Sequence, residues 1–358
     1  MLYRLTSFST RVVVALTVCA AAIVNAADVQ TKVPVDQRVG AYHLSDRWKL
    51  GGAGGWDYLS VDSDARRLYI SRSDRVVVLD IDSGKQIGEI PGTKGVHGVA
   101  IAQELGAGYT SNGRANTVTV FDLKTLQVSA EIDVGGQNPD AILYDPATRR
   151  VFTFNGRSAN ATAIDAASRK VVGSIALSGK PEFAAADGKG RVFVNIEDKG
   201  ELAVIDAKAL KVLAIWPLKP CEEPSGLAYD AVHQRLFSVC GNQKMVVTDS
   251  SNGKQIAVLA IGEGADAVVF DAQRQLALSS NGDGTLTVVH EDAPDKFSIV
   301  ENVATQKSAR TLALDAKTRR LFLAAAEFGP APAATAEQPR PRPAMLADSF
   351  TILVLGHY

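Results

Sequence analysis

The chain has 358 residues, of which 22% are charged and 46% hydrophobic, and a formal net charge of −1. No Lys/Arg-rich run interrupts that balance. A nucleic-acid surface needs a basic stripe that displaces counterions, so binding to DNA or RNA is not expected.

The N-terminus reads as an export signal. Arg4 and Arg11 give a positive start, Val12 to Val24 is a nearly unbroken apolar run of 13 residues, and Val24-Asn25-Ala26 suits a signal peptidase. The run is too short to span a bilayer core of ~30 Å as a helix. Val18 before Cys19 is a poor fit to a lipoprotein box. The expected product is cleaved after Ala26, with residues 27–40 as an N-terminal extension. Loss of Arg4 and Arg11 leaves it at −3. It is periplasmic or secreted and has no transmembrane segment; the alternative is a retained membrane anchor.

From residue 41 to 358 one pattern recurs. A short apolar run ends on Asp62, Ala102, Asp145, Asp187, Asp230, Asp271 and Asp315, at steps of 40, 43, 42, 43, 41 and 44 residues. Each marker is followed by a turn and further β-branched or aromatic runs: Leu68-Tyr69-Ile70 and Val76 to Leu79 in the first unit, Val151 to Asn155 and Ala163-Ile164-Asp165 in the third, Leu276 to Asn281 and Leu286 to Val289 in the sixth. Such runs between Gly, Asn and Asp turns read as strands. Four strands at this period make a propeller blade. The predicted fold is all-β: a seven-bladed β-propeller with four-stranded blades. The seventh unit supplies only Thr311 to Leu314, Arg320 to Ala324 and Phe350 to Leu355, so the N-terminal strand from Ala41 to Leu50 is predicted to complete the last blade and close the ring.

An insertion rich in Ala and Pro, residues 328–348, falls between the second and third strands of blade seven. It carries Pro330, Pro332, Pro339, Pro341 and Pro343. Its composition suits an extended loop, either a spacer or a lid over the central opening. Cys221 and Cys240 lie on one rim of blade five, and export to an oxidising compartment favours a disulfide between them over free or metal-bound thiols.

The stretch from Ala107 to Val134 has a more specific character. Tyr109-Thr110-Ser111-Asn112, then Asn116-Thr117-Val118-Thr119-Val120-Phe121-Asp122, then Leu126 to Val134, resembles the YVTN repeat, and the chain looks like a YncE-like exported propeller. Weaker copies run over residues 41–355, with departures at Arg72, Cys240 and Ala325. The resemblance implies architecture more than activity, because related propellers serve as binding modules, scaffolds and enzymes.

Aligning the units on their markers exposes two columns. Five residues before each marker stand Asp57, His97, Asp140, Glu182, Ser225, Asp266 and Arg310, all polar. On the innermost strands these form one ring at the channel mouth. Arg72, Asn112, Asn155, Asn195, Cys240, Asn281 and Ala325 end the second strands, which puts them on the same face. The Asn-Gly pairs among them are also good turn formers, and an acidic rim can simply be solvated. Read functionally, the columns form a binding site for a small polar molecule or a cation. His97, Asp140 and Glu182, from consecutive blades, are the candidate ligands of a divalent cation, the cofactor that such side chains suit. Arg310 would clamp a carboxylate or phosphate, and Trp56 would offer a stacking wall. Asp80, Asp122, Asp165, Asp206 and Asp249 are predicted to cap turns at the far face; His43, His233, His290 and His357 fall outside the ring. No nucleophile elbow, phosphate loop or His-Glu-x-x-His occurs. The reading is a monomeric binding propeller, with a protein partner left open. The alternative is a metal-assisted, lactonase-like hydrolase using the same ring.

Overall fold

The computed structural model describes residues 41–357 except 334, 336–340 and 342, together with Leu2. Apart from Leu2, the signal sequence and the 27–40 extension lie outside the described residues. Seven sheets of four antiparallel strands follow one another around a ring. In blade one the strands are Leu59–Asp62, Arg67–Arg72, Arg75–Asp80 and Gln86–Pro91, running from the axis to the rim. Blade seven is built from Thr311–Leu314, Leu321–Ala325 and Thr351–His357, and its outer strand is the N-terminal Tyr42–Lys49. Lys49 pairs with Thr351 at the mouth face and Tyr42 with His357 at the opposite face.

The apolar runs exist because the middle strands are buried on both sides. Leu68, Tyr69 and Ile70 are all fully buried. Side chains alternate across a strand, so Leu68 and Ile70 pack against blade seven beside Phe322 and Phe350. Tyr69 turns the other way, to Val99 and Phe121 of blade two. The same division recurs at the other blade junctions, each with its own apolar cluster. Outer strands meet water on one side, and Gln86–Pro91 and Val128–Asp133 are accordingly mixed in character.

Polar ties repeat across the junctions. At the far face the side chains of Arg150, Arg191 and Arg235 donate to the carbonyls of Ala207, Ser250 and Pro294 in the next blade, at 2.6, 2.8 and 2.6 Å. The Asp residues ending the third strands cap the turns that follow. Asp80 accepts from the amides of Asp82 and Ser83, and Asp122 from those of Lys124 and Thr125. Cys221 and Cys240 form a disulfide in blade five. The insertion in blade seven is not wholly irregular. Its base is a short hairpin in which Phe328 faces Met345, Gly329 donates to the Ala344 carbonyl and Leu346 to that of Glu327.

Candidate functional site

A repeated irregularity aims the ring residues. The register between first and second strands breaks between Val96 and Val99, Pro139 and Ile142, Pro181 and Ala184, Pro224 and Leu227, and Ala265 and Ala267. His97, Asp140, Glu182, Ser225 and Asp266 sit inside these breaks. A bulge redirects the side chain it contains. Asp57 and Arg310 take their places just ahead of the first strands of blades one and seven. Four of the positions are also pinned from the preceding blade. Tyr58 donates its amide to the His97 carbonyl at 3.1 Å, the Ser111 hydroxyl donates to the Asp140 carbonyl, and the Asn195 carboxamide to the Ser225 carbonyl at 3.0 Å. The Ser280 hydroxyl donates to the Arg310 carbonyl at 2.6 Å.

Asp57, Asp140, Glu182, Ser225, Asp266 and Arg310 line one cavity of 260 Å³, together with Tyr58, Lys180 and Glu197. His97 closes its side, with Nδ1 2.6 Å from Asp57 Oδ2 and 3.4 Å from Asp140 Oδ1. Arg310 pairs with Asp266 at 3.0 Å. Lys180 pairs with Glu182 at 2.6 Å and also with Glu197. The Tyr58 hydroxyl donates to Glu182 at 3.4 Å. Beneath the ring the channel is apolar, lined by Leu59, Phe183, Leu227, Tyr229 and Leu312, and Tyr58 packs edge-on against Phe183.

That apolar floor sets the electrostatics. Burial pushes Asp140 up to about 6, with Asp57 adding to the rise and His97 opposing it. Burial likewise raises Asp266 to about 6 against the pull of Arg310. Glu182 goes furthest, to about 8, through burial and the charge of Asp140, despite Lys180. Burial disfavours the His97 imidazolium, but the Asp57 hydrogen bond and the fields of Asp140 and Glu182 prevail and hold it above its ordinary value. The cavity therefore sets five carboxyl groups against Lys180, Arg310 and the His97 imidazole.

The grouping of possible metal ligands differs from the expected His97, Asp140 and Glu182. Asp57, His97 and Asp140 offer ligand atoms within 4.8 Å of one another. Glu182 is drawn aside by Lys180, the cation two residues before it. The second column also lies elsewhere. Asn112, Asn155 and Asn281 are fully buried, and each carboxamide spans from its own second strand to hydroxyls on the third: Thr117 and Thr119, Thr162, and Thr285 and Thr287. Asn195 faces blade five and accepts from Ser238 at 2.9 Å. Arg72, in the same slot, is buried against Phe350 and donates to the carbonyls of Gly51, Gly52, Ala53 and Gly54. None of these five lines the 260 Å³ cavity.

Lys180 and Tyr58 were not singled out by the repeat. Lys180 was detectable as the lone cation two residues ahead of a ring position. A second cavity of 1210 Å³ also went unanticipated. It meets the first at Arg310 and is walled by Trp56, Phe328, Pro343 and Leu346, with Arg47 and Lys307 at its polar edge. The base of the blade-seven insertion thus stands beside the mouth, where Trp56 contacts Phe328 with ring centres 6.1 Å apart.

No family model matches the chain. Antigen Lp49 of Leptospira interrogans serogroup Icterohaemorrhagiae serovar copenhageni (strain Fiocruz L1-130) is 29% identical over 110 residues, covering 29% of this chain and 24% of that protein. Among solved structures, the RRP9 WD40 repeats match with a TM-score of 0.72 at 11% identity, over 89% of this chain and 100% of that one. U3-55K matches at 0.69 and 11%, over 87% and 98%. A chain of Kuenenia stuttgartiensis hydrazine synthase matches at 0.64 and 16%, over 75% and 92%. At these identities the structural likenesses show the fold alone. The architecture is a seven-bladed β-propeller, with WD40-repeat structures among its neighbours. Among the described residues no helix is long and apolar enough to cross a membrane.

Proposed function

We propose that the chain is an exported propeller of the YVTN type that binds a small, positively charged polar ligand at the channel mouth. One observation carries this reading: five acidic side chains crowd the 260 Å³ cavity, and burial, reinforced by neighbouring acids, holds Asp140, Asp266 and Glu182 above the ordinary carboxylate range. A cation entering the cavity would relieve three buried acids at once. Arg310, half-exposed between the two cavities, suits a ligand that also carries an anionic group. The apolar wall of Trp56 and Phe328 suits an attached apolar portion. The disulfide is consistent with an oxidising compartment.

The test is a thermal-shift screen of amines, amino acids and divalent cations above pH 8, repeated with Asp266→Asn and Glu182→Gln. Supporting hits weaken at least tenfold in both variants. Hits indifferent to both substitutions would place binding elsewhere and defeat the proposal.

A second reading, metal-assisted hydrolysis, is favoured by the Asp57, His97 and Asp140 group. A divalent cation held there would lower the pKa of a bound water. Its mark would be metal-dependent turnover of lactone or ester substrates that disappears in Asp140→Asn.

A further inference from the structure

A second group of ligand-type side chains lies at the opposite face of the disc. Asp230 ends the first strand of blade five, His233 sits in the turn after it, and Glu291 comes from the third strand of blade six. Their ligand atoms lie within 4.8 Å of one another. His233 Nδ1 is 2.9 Å from Asp230 Oδ2 and 3.2 Å from Glu291 Oε1. We infer that Asp230, His233 and Glu291 form a site for a borderline divalent cation such as zinc, pinning blade five to blade six.

The first ground is an unmet demand. Glu291 is 1% exposed, yet among the described residues no donor is aligned on either of its oxygens. A buried carboxylate without donors is expensive unless a proton or a cation neutralises it. His233 Nδ1 is also buried and aligned as a hydrogen-bond donor to neither neighbouring oxygen. Its counterpart at the mouth, His97, is committed to a hydrogen bond with Asp57.

The second ground is comparison with equivalent junctions. Arg66, four residues after Asp62, reaches Asp315 of the neighbouring blade at 2.7 Å. Arg319, four after Asp315, reaches Asp271 at 3.1 Å. The same slot after Asp271 holds Gln275, so Asp230 receives no guanidinium. Blade six instead adds a second carboxylate. Among the described residues, His233 is the one ion-pair partner of either acid. Against those two junctions, this one has a cation fewer and a carboxylate more.

The third ground is spacing. Ligands at the usual zinc distances of ~2.0–2.2 Å define a tetrahedron with edges of about 3.3 Å, close to both His233 separations.

The experiment uses untagged protein carrying His97→Ala and Asp57→Asn, which silence the mouth, stripped with chelator and titrated with zinc by calorimetry. One equivalent should bind, and the melting temperature should rise with zinc concentration. Adding Glu291→Gln or, separately, His233→Asn should weaken binding at least a hundredfold and abolish that rise. Absence of zinc binding in the mouth-silenced protein overturns the inference without needing either further variant. Binding that survives Glu291→Gln in folded protein overturns it as well.

Discussion

The mouth carboxylates make stability depend on pH in a direction opposite to that of ordinary salt-bridged acids. Glu182 is the sharpest case, moving from an ordinary 4.5 to about 8. A folded acid held above its unfolded value binds its proton more tightly in the native state. Its stabilising contribution is complete below about pH 4.5 and is lost as the pH climbs through about 8. At about 1.4 kcal/mol for each tenfold difference in proton affinity, Glu182 should cost on the order of 4 kcal/mol between about pH 5 and pH 8.5. Glu182→Gln removes the titration while keeping the side chain's size, and Lys180 retains Glu197. Urea unfolding followed by the fluorescence of Trp48, Trp56 and Trp216 measures the effect. The wild type should lose stability over that range, and the variant should lose markedly less and be the more stable protein at the alkaline end. Parallel curves for the two proteins would show that Glu182 titrates normally and would refute the charge-deficit argument for the mouth.

Two further substitutions probe residues outside the mouth cavity. Asn155→Ala removes a buried carboxamide bonded to Asn160, Thr162 and Thr153. It should cost about 2 kcal/mol in urea unfolding and leave the affinity of any mouth ligand unchanged. Arg72→Met takes the donor from the carbonyls of Gly51, Gly52 and Gly54 and leaves Ala53 with Arg75 alone; it should destabilise by about 2 kcal/mol and expose residues 51–54 to limited proteolysis that the wild type resists.

The architecture was legible because its cause is local and repeated. Leu68-Tyr69-Ile70 reads as a continuous apolar run because each blade is packed on both faces, and the turn-capping Asp residues keep the period near forty. The mouth ring was legible for the same reason: Asp140, Glu182 and Asp266 occupy one bulge copied from blade to blade. What the period does not encode is the direction of a side chain at a strand end. Asn112 and Asp140 are both polar residues at the mouth, yet one turns inward to Thr119 and the other faces the cavity. Departures from the repeat were harder still. Lys180 recruits Glu182 away from His97, and Glu291 meets His233 across a blade boundary; neither pairing follows from alignment of the units.

The outer strand of blade seven gives the disc a polarity of attachment. Because Tyr42 lies opposite His357 and Lys49 opposite Thr351, the backbone enters and leaves on the side away from the acidic cavity. A tether or fused domain attached directly at Ala41 or just past His357 would leave from the underside of the disc. An immobilised or surface-anchored form would therefore keep the cavity turned outward, toward whatever diffuses past.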